Sequence, residues 1–485
     1  MPFPAPATSR RFHAFPGAGH DRRFHVRVRS HMHRIVKNTL PLLLASAGSL
    51  ASAQAADPVL PAHQAEIDAI VREISPARIK AYDDKLVGFG TRHTMSDTTS
   101  NTRGIGAARR WIKAELERCG AGKLDVQFDS HMHMVDSRIS RPTEIVNVVA
   151  TLPGTQAASK DRYYVVSGHY DSRVTDVMNY TADAPGANDD ASGTAAVMEM
   201  ACVMAKHKFD ATLVFMTVAA EEQGLYGAAN WAALAKARHL NIAGMFDNDI
   251  IGSSHDEKGN KDGSRVRLFA EGVPPPNLIT PELRTLIATG GENDSITRQL
   301  GRYVKETGEA YVPNFHVDLI YRRDRYLRGG DHSPFLDAGY AAVRFTEPHE
   351  DFDHQHQDLR SENGKKIGDL AEFVDPDYIA QVTRVNAASL ASLALAPAAP
   401  EGVKVLTKNL DNGTDLAWKA NSEPDLAGYR VVWRETTAPL WQGAKFVGNV
   451  TSARLELSHD NLIFGVQAVD KDGNVSPATY PLPGR

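Results

Sequence analysis

The sequence predicts an α/β sandwich with a mixed central sheet, followed by a smaller all-β sandwich at the C-terminus. Up to about residue 395, apolar runs typical of buried strands alternate with segments of helical periodicity. Beyond that point the helical period disappears. Short alternating strands follow instead, separated by turn signals such as Asp411-Asn-Gly and Asp472-Gly-Asn. A chain of 485 residues also suits two domains better than one.

The α/β part contains six segments that we predict as strands, several of them near-continuous apolar runs that suit strands covered on both faces. These strands are Ile145–Leu152, Tyr163–Gly168, Leu213–Ala219, Ile242–Ile251, Val266–Phe269 and Ala341–Phe345. The predicted helices are Ser100–Glu117, Gly193–His207, Leu225–Ala237 and Ser295–Thr307. Their alternation favours a central sheet that is largely parallel or mixed.

The first residues of the chain have the features of an export signal. Residues 1–37 carry a net charge of +7 and the whole chain carries −5, so the remainder is at −12. Residues 39–50 form an apolar stretch that is too short to cross a bilayer and is followed by small residues suited to cleavage. We predict that residues 32–55 are a secretory signal peptide, that residues 1–31 are an over-extended N-terminus, and that the protein is periplasmic or extracellular.

Charge and cysteine content narrow the possible partners. An acidic body is a poor match for nucleic acid, whose phosphates require a basic surface, and no apolar stretch is long enough to span a membrane. The two cysteines, Cys119 and Cys202, are too few for a disulfide framework. Export would permit a bridge between them, but we expect two buried free thiols.

Polar groups follow the predicted strands in a regular order. They are His169 with Asp171, Asp189 with Asp190, Glu221 with Glu222, Asp249, and finally His354 with His356. Each group has a structural explanation by itself, such as a helix cap or a solvated acidic pair. Together, at the strand ends where open α/β sheets bind ligands, they indicate a metal site. Nitrogen and oxygen donors without cysteine suit a catalytic zinc site.

Two of these groups suggest a division of roles. His169 and Asp171 are two residues apart at a strand end and project to the same side, so Asp171 can fix the ring of His169 while that ring binds a metal. Adjacent acids at a strand end point in different directions. One member of the pair Glu221 and Glu222 can therefore bind metal while the other transfers a proton.

This set of motifs resembles the co-catalytic zinc aminopeptidases of metallopeptidase family twenty-eight, over about residues 80–390. The string Asp189-Asp190-Ala-Ser-Gly separates it from the related carboxypeptidases and deacylases. The resemblance implies a zinc-exopeptidase-type α/β/α sandwich, peptide substrates, and two zinc ions per chain that hold a bridging water. It also implies that Glu221 is the general base.

The resemblance further implies the ligand set. Asp189 is expected to bridge both ions, His169 and Asp249 to complete one site, and Glu222 with a late histidine to complete the other. We place His354 first, because the family has an acid or similar residue four positions later, where this chain has Asp358. His356 is the alternative ligand. The segment Gly330-Asp331-His332 resembles a pocket-lining segment of the family, which assigns Asp331 and His332 to the substrate pocket.

The C-terminal segment resembles a fibronectin type III domain. The likeness rests on Trp418, Tyr429 and the segment Val466–Asp470, although Leu462 stands where that family usually has a tyrosine. Its predicted strands are Val403–Leu406, Thr414–Trp418, Gly428–Trp433, Ala453–Leu457 and Ile463–Val469. The partner class that we consider for it is a surface or polymer.

The predicted organisation is a zinc peptidase domain at 57–394, a linker at 395–401 and the fibronectin-like domain at 402–485. We expect the peptidase domain to keep its fold when the chain ends near Ala396. Two other functions stay open. One is that of a single-zinc glutaminyl cyclase-like enzyme, which would release ammonia, and the other is that of a non-catalytic surface-binding protein.

Overall fold

The computed structural model describes residues 63–408 and 411–484, and its central sheet has eight strands. They are β1 (Asp125–His133), β2 (Thr143–Leu152), β3 (Arg162–His169), β4 (Thr212–Val218), β5 (Asn241–Asn248), β6 (Arg265–Ala270), β7 (His316–Ile320) and β8 (Ala342–Thr346). Their order is β1-β2-β4-β3-β5-β8-β6-β7. All six predicted strands are present, and the two that were not predicted, β1 and β7, are the edge strands. The predictions for residues 1–31 and 32–55 lie outside the described residues.

The middle of the sheet is parallel. Strands β4, β3, β5 and β8 are adjacent and run in the same direction, whereas β2 and β6 on either side of them are antiparallel to their inner neighbours. The sheet is therefore mixed, as predicted. Because the four central strands share a direction, their carboxyl ends meet at one edge, where loops from different parts of the sequence come together.

Helices cover both faces of this sheet. They are α1 (Ala65–Glu73), α2 (Pro76–Val87), α3 (Gly104–Gly120), α4 (Ser192–Met204), α5 (Tyr226–Ala237), α6 (Pro281–Ala288), α7 (Ile296–Tyr311), α8 (His332–Ala338) and α9 (Pro376–Leu395). The four predicted helices correspond to α3, α4, α5 and α7. None of the helices in the described ranges has the length and apolar character needed to cross a membrane.

Alternate residues of the central strands enter two separate cores. Tyr164 and Val166 of β3 belong to the larger core, together with residues of α1–α4, α7 and α9. Val165 lies between them in sequence and belongs to the smaller core, where it joins Ala232 of α5 and Phe335 of α8. Successive side chains of a strand point to opposite faces of the sheet. This packing confirms the predicted α/β/α sandwich.

The C-terminal region is built from strands, as predicted. After a hairpin of β9 (Arg360–Glu362) and β10 (Lys365–Ile367), the strands are β11 (Lys404–Leu406), β12 (Thr414–Ala417), β13 (Leu426–Glu435), β14 (Gly443–Gly448), β15 (Ser452–Leu455), β16 (Leu462–Asp470) and β17 (Leu482–Gly484). One sheet has the order β15-β12-β11-β17 and the other the order β14-β13-β16. Trp418, Tyr429 and Phe464 are buried in their shared core. The likeness to fibronectin type III stays a prediction.

A buried ion cluster joins the C-terminal strands to the α/β part. Asp294, at the start of α7, accepts hydrogen bonds from Arg302 of α7 at 3.0 Å and from Arg434 of β13 at 2.8 Å. All three side chains are almost completely buried. A second buried pair, Arg162 with Glu423, also crosses this boundary at 3.3 Å. Removing the C-terminal strands would break these contacts, and the expectation that the peptidase domain keeps its fold without them stays a prediction.

The two cysteines form a disulfide bond. Cys119 at the end of α3 is bonded to Cys202 in α4, and the two Cα atoms are 5.2 Å apart. The expectation of two free thiols is therefore wrong. It failed because the cysteines are 83 residues apart in sequence, and only the packing of α3 against α4 brings them together.

Candidate metal centre

The carboxyl edge of the parallel strands gathers most of the predicted site. His169 is the last residue of β3, Glu221 and Glu222 follow β4, Asp249 follows β5, Asp189 precedes α4, and His356 lies in the loop after β8. The adjacency of β4, β3, β5 and β8 explains how residues nearly two hundred positions apart meet. The sheet supplies the rigid frame, and the loops after its strands supply the polar side chains.

Asp189 lies between the two histidines of the site. Its Oδ1 is 3.0 Å from Nε2 of His169, and its Oδ2 is 2.8 Å from Nε2 of His356. Its carboxylate therefore presents one oxygen to each side, as a ligand that bridges two cations must do. Gln355 also donates to Oδ2, at 3.0 Å, which helps to hold the carboxylate in place.

Two sets of donor atoms surround this carboxylate. The donors of His169, Glu221 and Asp249 all lie within 4.8 Å of one another, and so do the donors of Asp189, Glu222 and His356. Three buried donors of these sets, Nε2 of His169, Oε1 of Glu222 and Oδ1 of Asp249, have no hydrogen-bond partner within the described part of the chain. Buried polar atoms are costly without partners, and these imidazole and carboxylate donors are ligands that zinc accepts. The residues therefore fit a pair of metal ions.

Of the two late histidines, His356 is the one that lies beside the donors of Asp189 and Glu222. The Nε2 atom of His356 is 3.0 Å from Oε1 of Glu222. The ring of His354 is stacked instead on Phe373, with ring centroids 3.8 Å apart, and its Nδ1 faces Asp351 at 3.3 Å. His356 has a left-handed backbone conformation with φ of 57°, so the chain turns sharply at this residue. The spacing to Asp358 did not reveal this turn.

Asp171 holds parts of the site together without belonging to either donor set. Its two carboxylate oxygens accept the backbone N–H groups of Glu221 and Glu222, each at 3.3 Å. The Nδ1 atom of His169 lies 3.2 Å from the backbone carbonyl of Asp171 and 3.5 Å from its Oδ1. Asp171 thus contacts both the ring of His169 and the loop after β4.

Crowded carboxylates dominate the electrostatics of the site. Burial and the neighbouring acids Asp249, Glu222 and Asp189 raise the pKa of Glu221 well above its usual range, despite the opposing effect of His169. Burial lowers the pKa of His356, but Glu222 and Asp189 outweigh it and raise that pKa to about 10. In both cases the surrounding negative charge favours an additional positive charge, which a bound cation would also provide.

Asp331 and His332 do not line the pocket at this site. His332 is fully buried, with Nδ1 at 3.0 Å from Oδ2 of Asp247 and Nε2 at 2.9 Å from the carbonyl of Arg323. Asp331 is also buried, and within the described residues its carboxylate has no hydrogen-bond partner. Their assignment to the substrate pocket stays a prediction. The first turn of α8, which begins at His332, packs onto β5.

Sequence reasoning missed three residues that support the site. Asp369 accepts the backbone N–H groups of Asn188 and Asp189, each at 2.8 Å. Arg344 of β8 is fully buried and approaches Oδ2 of Asp249 at 3.0 Å. Gln355 is the third. Of these three, only Arg344 could have been noticed in the sequence, because an arginine inside an apolar strand requires a buried acidic partner.

Comparisons with known proteins agree with this fold. Residues 147–374 match the description of peptidase family M28. A probable zinc metalloprotease of Pyricularia oryzae is 52% identical over 445 residues, which cover 90% of this chain and 87% of that protein. Another, from Leptosphaeria maculans, is 51% identical over 429 residues, which cover 88% of this chain and 99% of that protein.

One solved structure shares the architecture. LapA of Legionella pneumophila has a TM-score of 0.50 at 18% identity, over 70% of this chain and 78% of that protein. At this identity the likeness concerns the fold alone. The family assignment rests on the match of residues 147–374 and on relatives about half identical over most of the chain. This chain belongs to peptidase family M28.

Proposed function

We propose that this protein is an exported zinc aminopeptidase that binds two zinc ions. The position of Asp189 is the observation that carries the proposal, because its two oxygens face His169 and His356 on opposite sides. His169 and Asp249 would complete one zinc site, and Glu222 and His356 the other. When bound, the ions would polarise the scissile carbonyl, stabilise developing negative charge and lower the pKa of a water.

Glu221 has the properties required of the general base. It follows β4 beside the ligand Glu222, and its backbone N–H is held by Asp171 at 3.3 Å. It is partly exposed, unlike the buried Glu222. Glu221 would take the proton of the attacking water and deliver it to the leaving amine. Burial and the neighbouring acids raise its pKa, so cations in the two sites would help to keep it deprotonated.

The disulfide supports the proposed export. Disulfides such as Cys119–Cys202 persist in oxidising compartments and are rare in reducing ones. The short apolar stretch at residues 39–50 and the small residues after it give the proposed signal peptide. Sequencing the N-terminus of the secreted protein tests this part of the proposal. A mature chain that begins near residue 56 is expected.

A single-zinc glutaminyl cyclase is the rival enzyme. The presence of two donor sets, rather than one, favours the two-zinc aminopeptidase. A non-catalytic binding protein is disfavoured because no member of the ligand set is missing. The fibronectin-like domain stays a proposal, with a surface or polymer as its partner class.

Aminoacyl p-nitroanilides, assayed beside their N-blocked counterparts, test the proposed activity. We expect zinc-dependent release of nitroaniline from substrates with a free amine and none from the blocked substrates, together with about two zinc ions per chain. Equal cleavage of blocked and free substrates would reject an aminopeptidase. One zinc ion, with ammonia released from N-terminal glutamine, would favour the cyclase.

A further inference from the structure

The pocket beside the metal centre is lined by an unusual number of arginines. It has a volume of about 320 Å³, and its walls include Glu221, Glu222, Asp249 and His356. The arginines that line it are Arg138, Arg173, Arg325, Arg328 and Arg344. In a chain whose overall charge is negative, five guanidinium groups around one pocket require an explanation.

Three of these arginines are held by acidic residues of the protein. Arg325 and Arg328 donate to the same oxygen of Glu350, at 2.9 and 2.7 Å. Arg344 lies 3.0 Å from Asp249 and 3.4 Å from Asp324. Their charges are balanced within the fold. They support the pocket wall and the ligand Asp249, and they need no further anion.

Arg138 and Arg173 differ from these three. Arg138 is exposed on the loop between β1 and β2, and it donates to the backbone carbonyl of Glu222 at 2.7 Å. Within residues 63–408 and 411–484, no carboxylate forms an ion pair with it. The Nε of Arg173 is buried without a hydrogen bond in the same ranges. Its nearest acidic atom is Oε2 of Glu222, at 3.6 Å.

Both arginines therefore contact Glu222, and within the described residues each has guanidinium N–H groups that donate to no protein acceptor. A guanidinium group presents several N–H donors in a planar fork that matches a carboxylate, and such charge-assisted pairs are strong. Among the residues that the structure describes, the one acid paired with Arg173 is Glu222, which the proposed function uses to hold zinc. Within the described ranges, neither arginine is paired with an acid that is not already assigned to zinc, and both line the pocket that a substrate would enter.

We propose that Arg138 and Arg173 bind a carboxylate of the substrate. Provided that the proposed peptidase activity holds, this selects peptides with a negative charge close to the cleaved bond. Two sources can supply that charge. One is an acidic side chain at the N-terminal position, and the other is the C-terminal carboxylate of a dipeptide. Both offer the same planar anion to the two guanidinium groups.

The proposal is tested by measuring how tightly short peptides bind to zinc-loaded Glu221→Gln protein, which should not hydrolyse them. Calorimetry compares glutamyl-leucinamide with glutaminyl-leucinamide for the side-chain source, and leucyl-leucine with leucyl-leucinamide for the C-terminal source. We expect the anionic member of at least one pair to bind about 10- to 100-fold more tightly. The pair that shows this preference identifies the source of the carboxylate.

The arginine variants are made in the same background. Arg173→Gln and, separately, Arg138→Gln should reduce the preference to within about 3-fold, while the affinity for the neutral peptide changes little. Arg328→Gln is the matched control, because Arg328 lines the same pocket but is paired with Glu350, and it should keep the ratio. Arg138 is exposed, so its substitution tests the proposal even if Arg173→Gln does not fold.

Several results would overturn the proposal. These are equal affinity within both pairs, no binding of any of the peptides, or the same loss of preference in Arg328→Gln as in the two test variants. Hydrolysis of leucyl p-nitroanilide by the wild-type enzyme is measured separately. Its absence would reject the aminopeptidase activity, while the binding ratios would still decide whether the two arginines recognise a carboxylate.

Discussion

The carboxylate of Asp369 accepts the backbone N–H of Asp189 at 2.8 Å. Its other oxygen accepts the N–H of Asn188, so both oxygens hold the segment that carries the proposed bridging ligand. Burial raises the pKa of Asp369 to about 7 even though these two N–H groups lower it. A fully buried acid at this position has a structural task, which is to fix the backbone of Asp189.

Replacing Asp369 should therefore weaken metal binding without removing a ligand. In Asp369→Asn, one carboxylate oxygen becomes an amide NH2, which cannot accept the N–H of residue 188 or 189. We expect zinc affinity to fall about 10- to 100-fold, as measured by competition with a chromogenic chelator. Glu372→Gln, at an exposed position nearby, is the control. Unchanged zinc affinity in Asp369→Asn would show that the segment does not need this support.

Glu221 and Glu222 should have separable roles. In Glu221→Gln we expect turnover to fall about 100-fold or more with both zinc ions retained, because the proton acceptor is lost while the ligands remain. In Glu222→Gln we expect zinc to be lost as well. Metal analysis beside steady-state kinetics distinguishes the variants. Zinc loss confined to Glu221→Gln would exchange the two roles.

The two late histidines provide a similar comparison. His356→Ala should cost about one zinc ion per chain, since its Nε2 lies beside both Asp189 and Glu222. His354→Ala should keep the metal, because that ring packs on Phe373 instead. Zinc is measured after dialysis of both proteins. The opposite pattern would restore the order that the spacing to Asp358 suggested.

The sequence predicted the centre of the fold better than its margins. The central strands are buried on both faces, so their apolar runs were visible, whereas β1 and β7 are edge strands with mixed composition. The longest helix, α9, was missed because small and apolar residues bury most of its surface and leave no wide polar face.

The residues of the candidate site also divide into those that the sequence could predict and those that it could not. Candidate ligands directly at strand ends, such as His169 and Asp249, could be predicted because strand direction fixes where their side chains point. His356 lies in a loop whose left-handed turn depends on tertiary contacts, and Asp369 meets Asp189 only in the folded chain. The disulfide was missed for the same reason, since sequence separation says nothing about the distance between α3 and α4.

Breaking the buried cluster between the α/β part and the C-terminal strands should destabilise the whole chain. Asp294→Asn leaves the buried guanidinium groups of Arg302 and Arg434 without their carboxylate, which typically costs about 3–5 kcal/mol. We expect a lower melting temperature with kinetic constants for small substrates largely retained. A chain ending at Ala396 should be less stable still, because Arg162 also loses Glu423. Wild-type stability in both variants would restore the independent-domain prediction.

Asp210 should make stability at the same boundary depend on pH. Its side chain is partly buried, and burial together with Asp425 and Asp470 of the C-terminal region raises its pKa from 3.8 to about 6. A raised pKa means that the folded state binds this proton more tightly than the unfolded state. Its contribution to stability is therefore fully present below about pH 4 and is lost as the pH rises through about 6.

The substitution Asp210→Asn should remove this dependence. At pH 8 we expect the variant to be more stable than the parent by about 1 kcal/mol or less, because the half-exposed position screens the repulsion from Asp425 and Asp470. The difference should shrink as the pH is lowered to 5, where the parent carboxyl is largely protonated. Melting temperatures of both proteins across this range measure it, with the exposed Asp161→Asn as control. A difference that stays constant from pH 5 to pH 8 would show that Asp210 does not titrate in this range. A variant that is less stable than the parent at pH 8 would show that the charge of Asp210 stabilises the fold despite its repulsion from Asp425 and Asp470.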